Sequence, residues 1–300
     1  MFSSRSGAAK LSLGVVVGLI CLKVLVAAIT GSLSILAQAA DSFLDLFAIT
    51  ITILAVRLAV KPADGEHPFG HGKVENVAAV AQALLIFTAS GLIGYSAVRR
   101  IITGATIELT EAGIGVMLVS IIVSIFLSRH LLKVSRATDS MALEANAQNI
   151  AADVYSAAAV LAGLVVVRFT GLSIIDPILA LLVALFILKV AYDVVKKSFG
   201  ELIDVKLPED EEQLIRSCLK DHAGEIVGFH QLRTRKSGRQ RYIDLHVLMP
   251  KYASVEHAHR FCDYLEQDIG DKLHHTSVII HVEPCGDECN QCTVLCNLRR

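Results

Sequence analysis

The chain has 300 residues, 53% of them hydrophobic and 19% charged, with a net charge of -1, no Trp and a mean hydropathy of +0.56. So apolar a composition excludes a wholly soluble chain and indicates a membrane protein with a soluble portion, and the near-zero charge gives no sign of a nucleic-acid partner. The apolar residues concentrate before residue 198, whereas charges and histidines crowd in from Pro208 onward, so the chain reads as a membrane domain followed by a smaller polar one.

The first apolar stretch, about 11–29, is interrupted only by Lys23 and shows no A-x-A-like cleavage site, so it reads as a span. The link Thr30-Gly31-Ser32 is so short that the second span must be its antiparallel neighbour. That second stretch, 33–60, exceeds the roughly 20 residues that a helix rising ~1.5 Å per residue needs to cross a ~30 Å hydrocarbon core. Lys61-Pro62-Ala63-Asp64-Gly65 then breaks the helix. Further spans are predicted at about 77–102, 114–132, 146–169 and 178–195. Six spans put both termini on one side. The segments on that side carry Arg5, Lys10, Arg57, Lys61, Lys73, Arg129, Lys133, Arg136, Lys196 and Lys197, against Arg99, Arg100 and Arg168 on the other, which places both termini in the cytoplasm.

The polar part opens with Pro208 and the acids Glu209 to Glu212, a helix start that runs to about 222. Strands follow at 226–235 and 241–249, the second alternating Ile243, Leu245 and Val247 with Tyr242, Asp244 and His246. A helix at 254–273 and a strand at 277–282 complete an αββαβ order. The expected fold is therefore an all-α six-helix transmembrane domain over 1–206, a cytoplasmic α+β domain over 207–284 and a cysteine-rich tail over 285–300.

Two carboxylates interrupt the second span. Asp41 and Asp45 are four apart, hence on one helix face, and each costs at least ~2.5 kcal/mol at the membrane centre unless it faces something that repays it. They are either protonated groups that hydrogen-bond a neighbouring helix, or ligands. In the fifth span Asn149 and Asp153 repeat the spacing, so two helices each offer two oxygen donors to one point. Three carboxylates and an amide carbonyl set a charge of -3 against a divalent cation. Emptied, such a site keeps a proton, and metal entry expels it; alternating exposure then makes metal/proton exchange into transport. After the second span, Asp64, His67 and His71 form either a second, nitrogen-rich site or a solvated polar loop. No H-E-x-x-H or nucleophile motif lies near the carboxylates, so an enzyme is not expected.

The seven cysteines sit in a cytoplasmic context that argues against disulfides. Cys21, Cys218 and Cys262 read as packing residues. Cys285, Cys289, Cys292 and Cys296 form C-x3-C-x2-C-x3-C, which suggests a soft metal or an iron-sulfur cluster, or else a thiol-rich end. On one straight helix they would make a stripe ~16 Å long, too long to close on one ion without a bend or a partner chain.

These residues together resemble the cation diffusion facilitator family. The carriers are Asp41-Ser42-Phe43-Leu44-Asp45, the run from His67 to Glu75 (His-Pro-Phe-Gly-His-Gly-Lys-Val-Glu), Asp153, Asp176-Pro177 and the tail strands. The resemblance implies a homodimeric, multi-pass exporter of Mn2+, Fe2+ or Zn2+ in the lipid of the inner membrane, driven by inward proton flow, with a ferredoxin-like or metallochaperone-like cytoplasmic domain. It implies that Asp41, Asp45, Asn149 and Asp153 form the transport site and Asp64, His67 and His71 the loop site. It further implies that His230, His246, His259, His281 and Glu283 form a binuclear site at the dimer interface. Zinc-type members have His where this chain has Asn149, and Asp where it has Glu283. The remaining alternative with the same fold is a metal sensor or scaffold that does not transport.

Overall fold

The computed structural model describes residues 4–30, 33–103, 111–170 and 174–286. The elements in order are α1 (Arg5–Thr30), α2 (Leu33–Ala59), α3 (Val74–Thr103), α4 (Glu111–Thr138), α5 (Met141–Thr170) and α6 (Ile175–Leu202). They are followed by α7 (Glu209–Asp221), β1 (Gly228–Ser237), β2 (Gln240–Met249), α8 (Val255–Lys272) and β3 (Thr276–Pro284). Two compact units result, Met1–Phe199 and Gly200–Arg300.

Among the described residues α1, α3, α4, α5 and α6 are long and apolar enough to cross a membrane, and α2 has 27 residues. Except for α2, each helix outruns its apolar stretch, α4 reaching from Glu111 to Thr138 where hydropathy marks only 114–132. Backbone hydrogen bonding continues through polar helix ends, whereas hydropathy registers only the part suited to hydrocarbon. Large apolar side chains such as Leu25, Phe47, Leu92, Phe126 and Leu182 stand exposed on this unit, the arrangement that a lipid surround requires. Its interior is built from Ala9, Val16, Ile49, Val56, Leu131, Leu143, Ala147 and Ile150 of α1, α2, α4 and α5, and the alanines let helices approach closely.

A buried ionic knot ties three parts of the bundle. Arg5 Nη1 meets Glu75 Oε1 at 2.5 Å, and the Glu75 side chain is fully buried. Arg5 Nε donates to the carbonyl of Thr138 at 3.0 Å. Ser140 Oγ donates to the second Glu75 oxygen and accepts from the Leu143 N–H, so it also caps α5. Asp139, at φ 51, supplies the sharp turn between α4 and α5.

In the second unit β1 and β2 form an antiparallel hairpin that turns at Gly238, where φ is 59, a backbone that glycine adopts without strain. The helix α8 crosses over to bring β3 parallel to β2, and the strand order is β1-β2-β3. One sheet face buries Ile243, Leu245, Val247 and Met249 against Ile215 and Leu219 of α7 and Phe261, Leu265 and Ile269 of α8. The predicted αββαβ order is the order found. Cys218 and Cys262 are buried in this unit, as packing residues should be, whereas Cys21 is exposed on α1 and does not pack within the chain.

Candidate metal sites

Helix α2 presents Asp45, and α5 presents Asn149 with Asp153 one turn further on. Asn149 Nδ2 donates to Asp45 Oδ1 at 3.0 Å, a direct link between the two helices. Both carboxylates border two cavities. One, of about 240 Å³, lies toward α1 and α4 and is lined by Lys23, Ser42, Ser120 and Ser124 beside the carboxylates. The other, of about 440 Å³, lies toward α3 and α6, where Thr88, Ser96, Arg100 and Ala180 line it together with Asn149. The carboxylates thus stand on the wall between two spaces. The amide directs its N–H, not its carbonyl, at Asp45. The carbonyl donor expected from the sequence is the other end of the same planar group, half a turn away. The Asp41 side chain lies outside the described residues; its backbone sits in α2 one turn before Asp45.

The loop between α2 and α3 gathers Asp64, His67 and His71, whose ligand atoms lie within 4.8 Å of one another. Asp64 Oδ1 accepts from the backbone N–H of Glu66 at 3.1 Å and of His67 at 2.7 Å, so the carboxylate organises its own turn. The His67 backbone hydrogen bond holds the Asp64 carboxyl below its ordinary value, which keeps it ionised and ready to bind. His67 Nδ1 lies 3.2 Å and His71 Nε2 3.5 Å from that carboxylate. Gly70, at φ 77, bends the chain so that the two imidazole centroids come within 4.4 Å. The buried His71 Nδ1 has no hydrogen-bond partner, so one donor atom of this cluster is unsatisfied.

In the second unit the strand register does the assembly. His230 of β1 pairs across from His246 of β2, which pairs across from His281 of β3, a row of three imidazoles on the sheet face opposite the helices. Glu283, two residues beyond His281 and so on the same face, lies 2.7 Å from His246 Nδ1, 3.3 Å from His230 Nε2 and 3.8 Å from His281 Nε2. The His246 hydrogen bond lowers the Glu283 pKa from its ordinary value. His230, His246 and Glu283 offer ligand atoms within 4.8 Å. A bulge after His230, with Gln231 at φ 52, absorbs the register shift between this row and the rest of the hairpin. His259 stands apart in the single chain: it is exposed on α8, 3.6 Å from Asp263, and borders a groove that Glu283 also lines.

Of the tail cysteines, Cys285 continues the ladder by donating its backbone N–H to Met249 at 2.8 Å; Cys289, Cys292 and Cys296 lie outside the described residues. Burial pushes the Cys218 and Cys262 thiols up, which disfavours the thiolate that a metal would need. Sequence reasoning noted Lys23 only as an interruption and Ser42 only as part of a motif; the signal available was a lone ammonium in an apolar run. It also gave no role to Glu75, whose partners lie far away in the sequence.

A sequence model of the cation efflux transmembrane domain matches residues 9–203, and one of the cation efflux protein cytoplasmic domain matches residues 207–285. The chain belongs to the cation diffusion facilitator, or cation efflux, family. Among its relatives, an uncharacterized transporter of Synechocystis is 32% identical over 279 residues, covering 93% of this chain and 90% of the relative. The cation-efflux pump FieF of Cronobacter sakazakii is 34% identical, covering 86% and 85%, and FieF of Shewanella oneidensis is 32% identical, covering 92% and 93%. This cation-efflux family member is a membrane protein of the transporter class, not an enzyme.

Proposed function

We propose that the protein exports a divalent transition-metal ion from the cytoplasm across the inner membrane in exchange for protons, working as a homodimer. The observation that carries this reading is the Asn149–Asp45 contact on a wall that Asp153 shares, with a cavity on either side. An ion held by Asp41, Asp45, Asn149 and Asp153 needs only a small helix movement to exchange one space for the other. Metal binding requires ionised carboxylates, so loading releases whatever protons the empty site holds. In this reading residues 1–206 transport, residues 207–284 sense metal, and both termini lie in the cytoplasm, as the Lys and Arg distribution supports. Asp64, His67 and His71 bind metal at the membrane surface. His230, His246, His281 and Glu283 bind it on the sheet face opposite α7 and α8, where a second copy brings His259 to complete a binuclear site. Cys285, Cys289, Cys292 and Cys296 form a separate soft-metal site. An oxygen-rich transport site favours Mn2+ or Fe2+ over Zn2+.

The test is flux into liposomes containing the purified protein and a pH-sensitive dye. Asp45→Asn and Asp153→Asn each remove a titratable ligand with little change of shape, and each should abolish metal uptake. The native protein should move protons against the metal. Metal binding without flux would make the protein a sensor, and flux without proton movement would remove the antiport.

A further inference from the structure

The carboxylates share their smaller cavity with a cation that belongs to the chain. Lys23 lies in the apolar length of α1, where an ammonium is costly unless it faces a polar interior, and it lines the same space as Asp45 and Asp153. Its Nζ donates to Ser42 Oγ at 2.7 Å, and Ser42 is buried one turn before Asp45 on α2. Ser120 of α4 lines this cavity too, and its hydroxyl is buried without a hydrogen-bond partner, so the space is built for polar occupants rather than left by loose packing. The hydrogen bond to Ser42 thus helps to hold the ammonium at a defined place beside the carboxylates.

We infer that Lys23 is a positioning charge of the transport site, a tethered counter-cation that weakens ion binding enough for release and matches the site to divalent ions. This rests on the transport reading above. Counted with Asp41 of the proposed ligand set, the three carboxylates sum to -3, a divalent ion brings +2, and Lys23 supplies the remaining +1, so the loaded site is neutral. A charge this close, at the effective dielectric of about 20 found inside proteins, changes ion affinity by at least about tenfold. Without it the ion is held too tightly to leave, and turnover falls as affinity rises.

The experiment compares the full-length native protein with Lys23→Gln, Lys23→Met and Lys23→Arg in liposomes, with Mn2+ as the probe. The neutral variants should lower KM for Mn2+ about tenfold and lower kcat as well, while Lys23→Arg should restore both. A neutral variant with KM unchanged or raised overturns the inference, as does an arginine variant that behaves like the neutral ones. Should both neutral variants fail to fold, Ser42→Ala, which removes the hydroxyl that holds the ammonium in this cavity, should shift KM away from the native value; a native KM there also overturns it. If the native protein carries no metal at all, the transport reading falls separately. Lys23 is then judged on the bound Mn2+ that Asp45→Asn removes, which the neutral variants must hold more tightly.

Discussion

An amide at position 149 gives the transport site a different donor from the imidazole of zinc-type members. Asn149 offers a carbonyl oxygen or an N–H, and in this structure the N–H goes to Asp45 at 3.0 Å. A metal that displaces this hydrogen bond gains a hard, neutral oxygen, which suits Mn2+ and Fe2+, whereas Zn2+ gains more from nitrogen. Asn149→His should therefore raise Zn2+ and Cd2+ uptake relative to Mn2+ and Fe2+, because it puts a nitrogen ligand one turn before Asp153 on the same face of α5. Competitive uptake by the two proteins at one pH measures this, and an unchanged zinc-to-manganese ratio would mean that residue 149 does not touch the metal.

At the scale of the elements, three helices and a turn meet at one buried charge, and breaking such a pair costs more than the pair itself contributes. Glu75 is fully buried and holds Arg5 of α1 and Ser140 of the α4–α5 turn at once. Glu75→Gln leaves the guanidinium short of its counter-charge, a loss of about 3–5 kcal/mol for a broken buried pair. Thermal unfolding of the purified protein in detergent should show a markedly lower midpoint; a shift within the scatter of repeat scans would mean that solvent already screens the pair. None of this was legible beforehand, since Arg5 counted only toward the charge bias and Glu75 only as part of a motif. Their pairing spans about half of the first four helices and exists only after tertiary packing. That Asp45, Asn149 and Asp153 come together was legible because four-residue spacing fixes a helix face whatever the packing, and the alternation around Ile243, Leu245 and Val247 gave the buried face of β2 for the same kind of reason. Residue pattern alone could not give the His230–His246–His281 row, which only the family resemblance grouped, because a register between three strands depends on the hairpin bulge and on the length of the α8 crossover.

At the scale of the whole molecule, that row lies on the sheet face opposite α7 and α8. A metal bound by His230, His246 and Glu283, together with His259 of a second copy, would bridge the second units of two copies and draw the copies together. The isolated fragment from residue 207 to residue 300, which carries its own apolar core, should therefore show a larger mass or a smaller dimer radius on titration with Zn2+ or Mn2+. Scattering that stays constant through the titration would remove the sensing role.

The ionic knot around Glu75 also sets an order on biosynthesis. Arg5 leaves the ribosome before its counter-charge Glu75 and its carbonyl acceptor Thr138, so it reaches the membrane boundary before either exists. The nascent α1–α2 hairpin must keep this guanidinium hydrated at the membrane surface until the turn before α5 has been translated. Only then can Arg5 be drawn inside, which makes docking of this end of α1 a late event in assembly although α1 is made before α2 to α5.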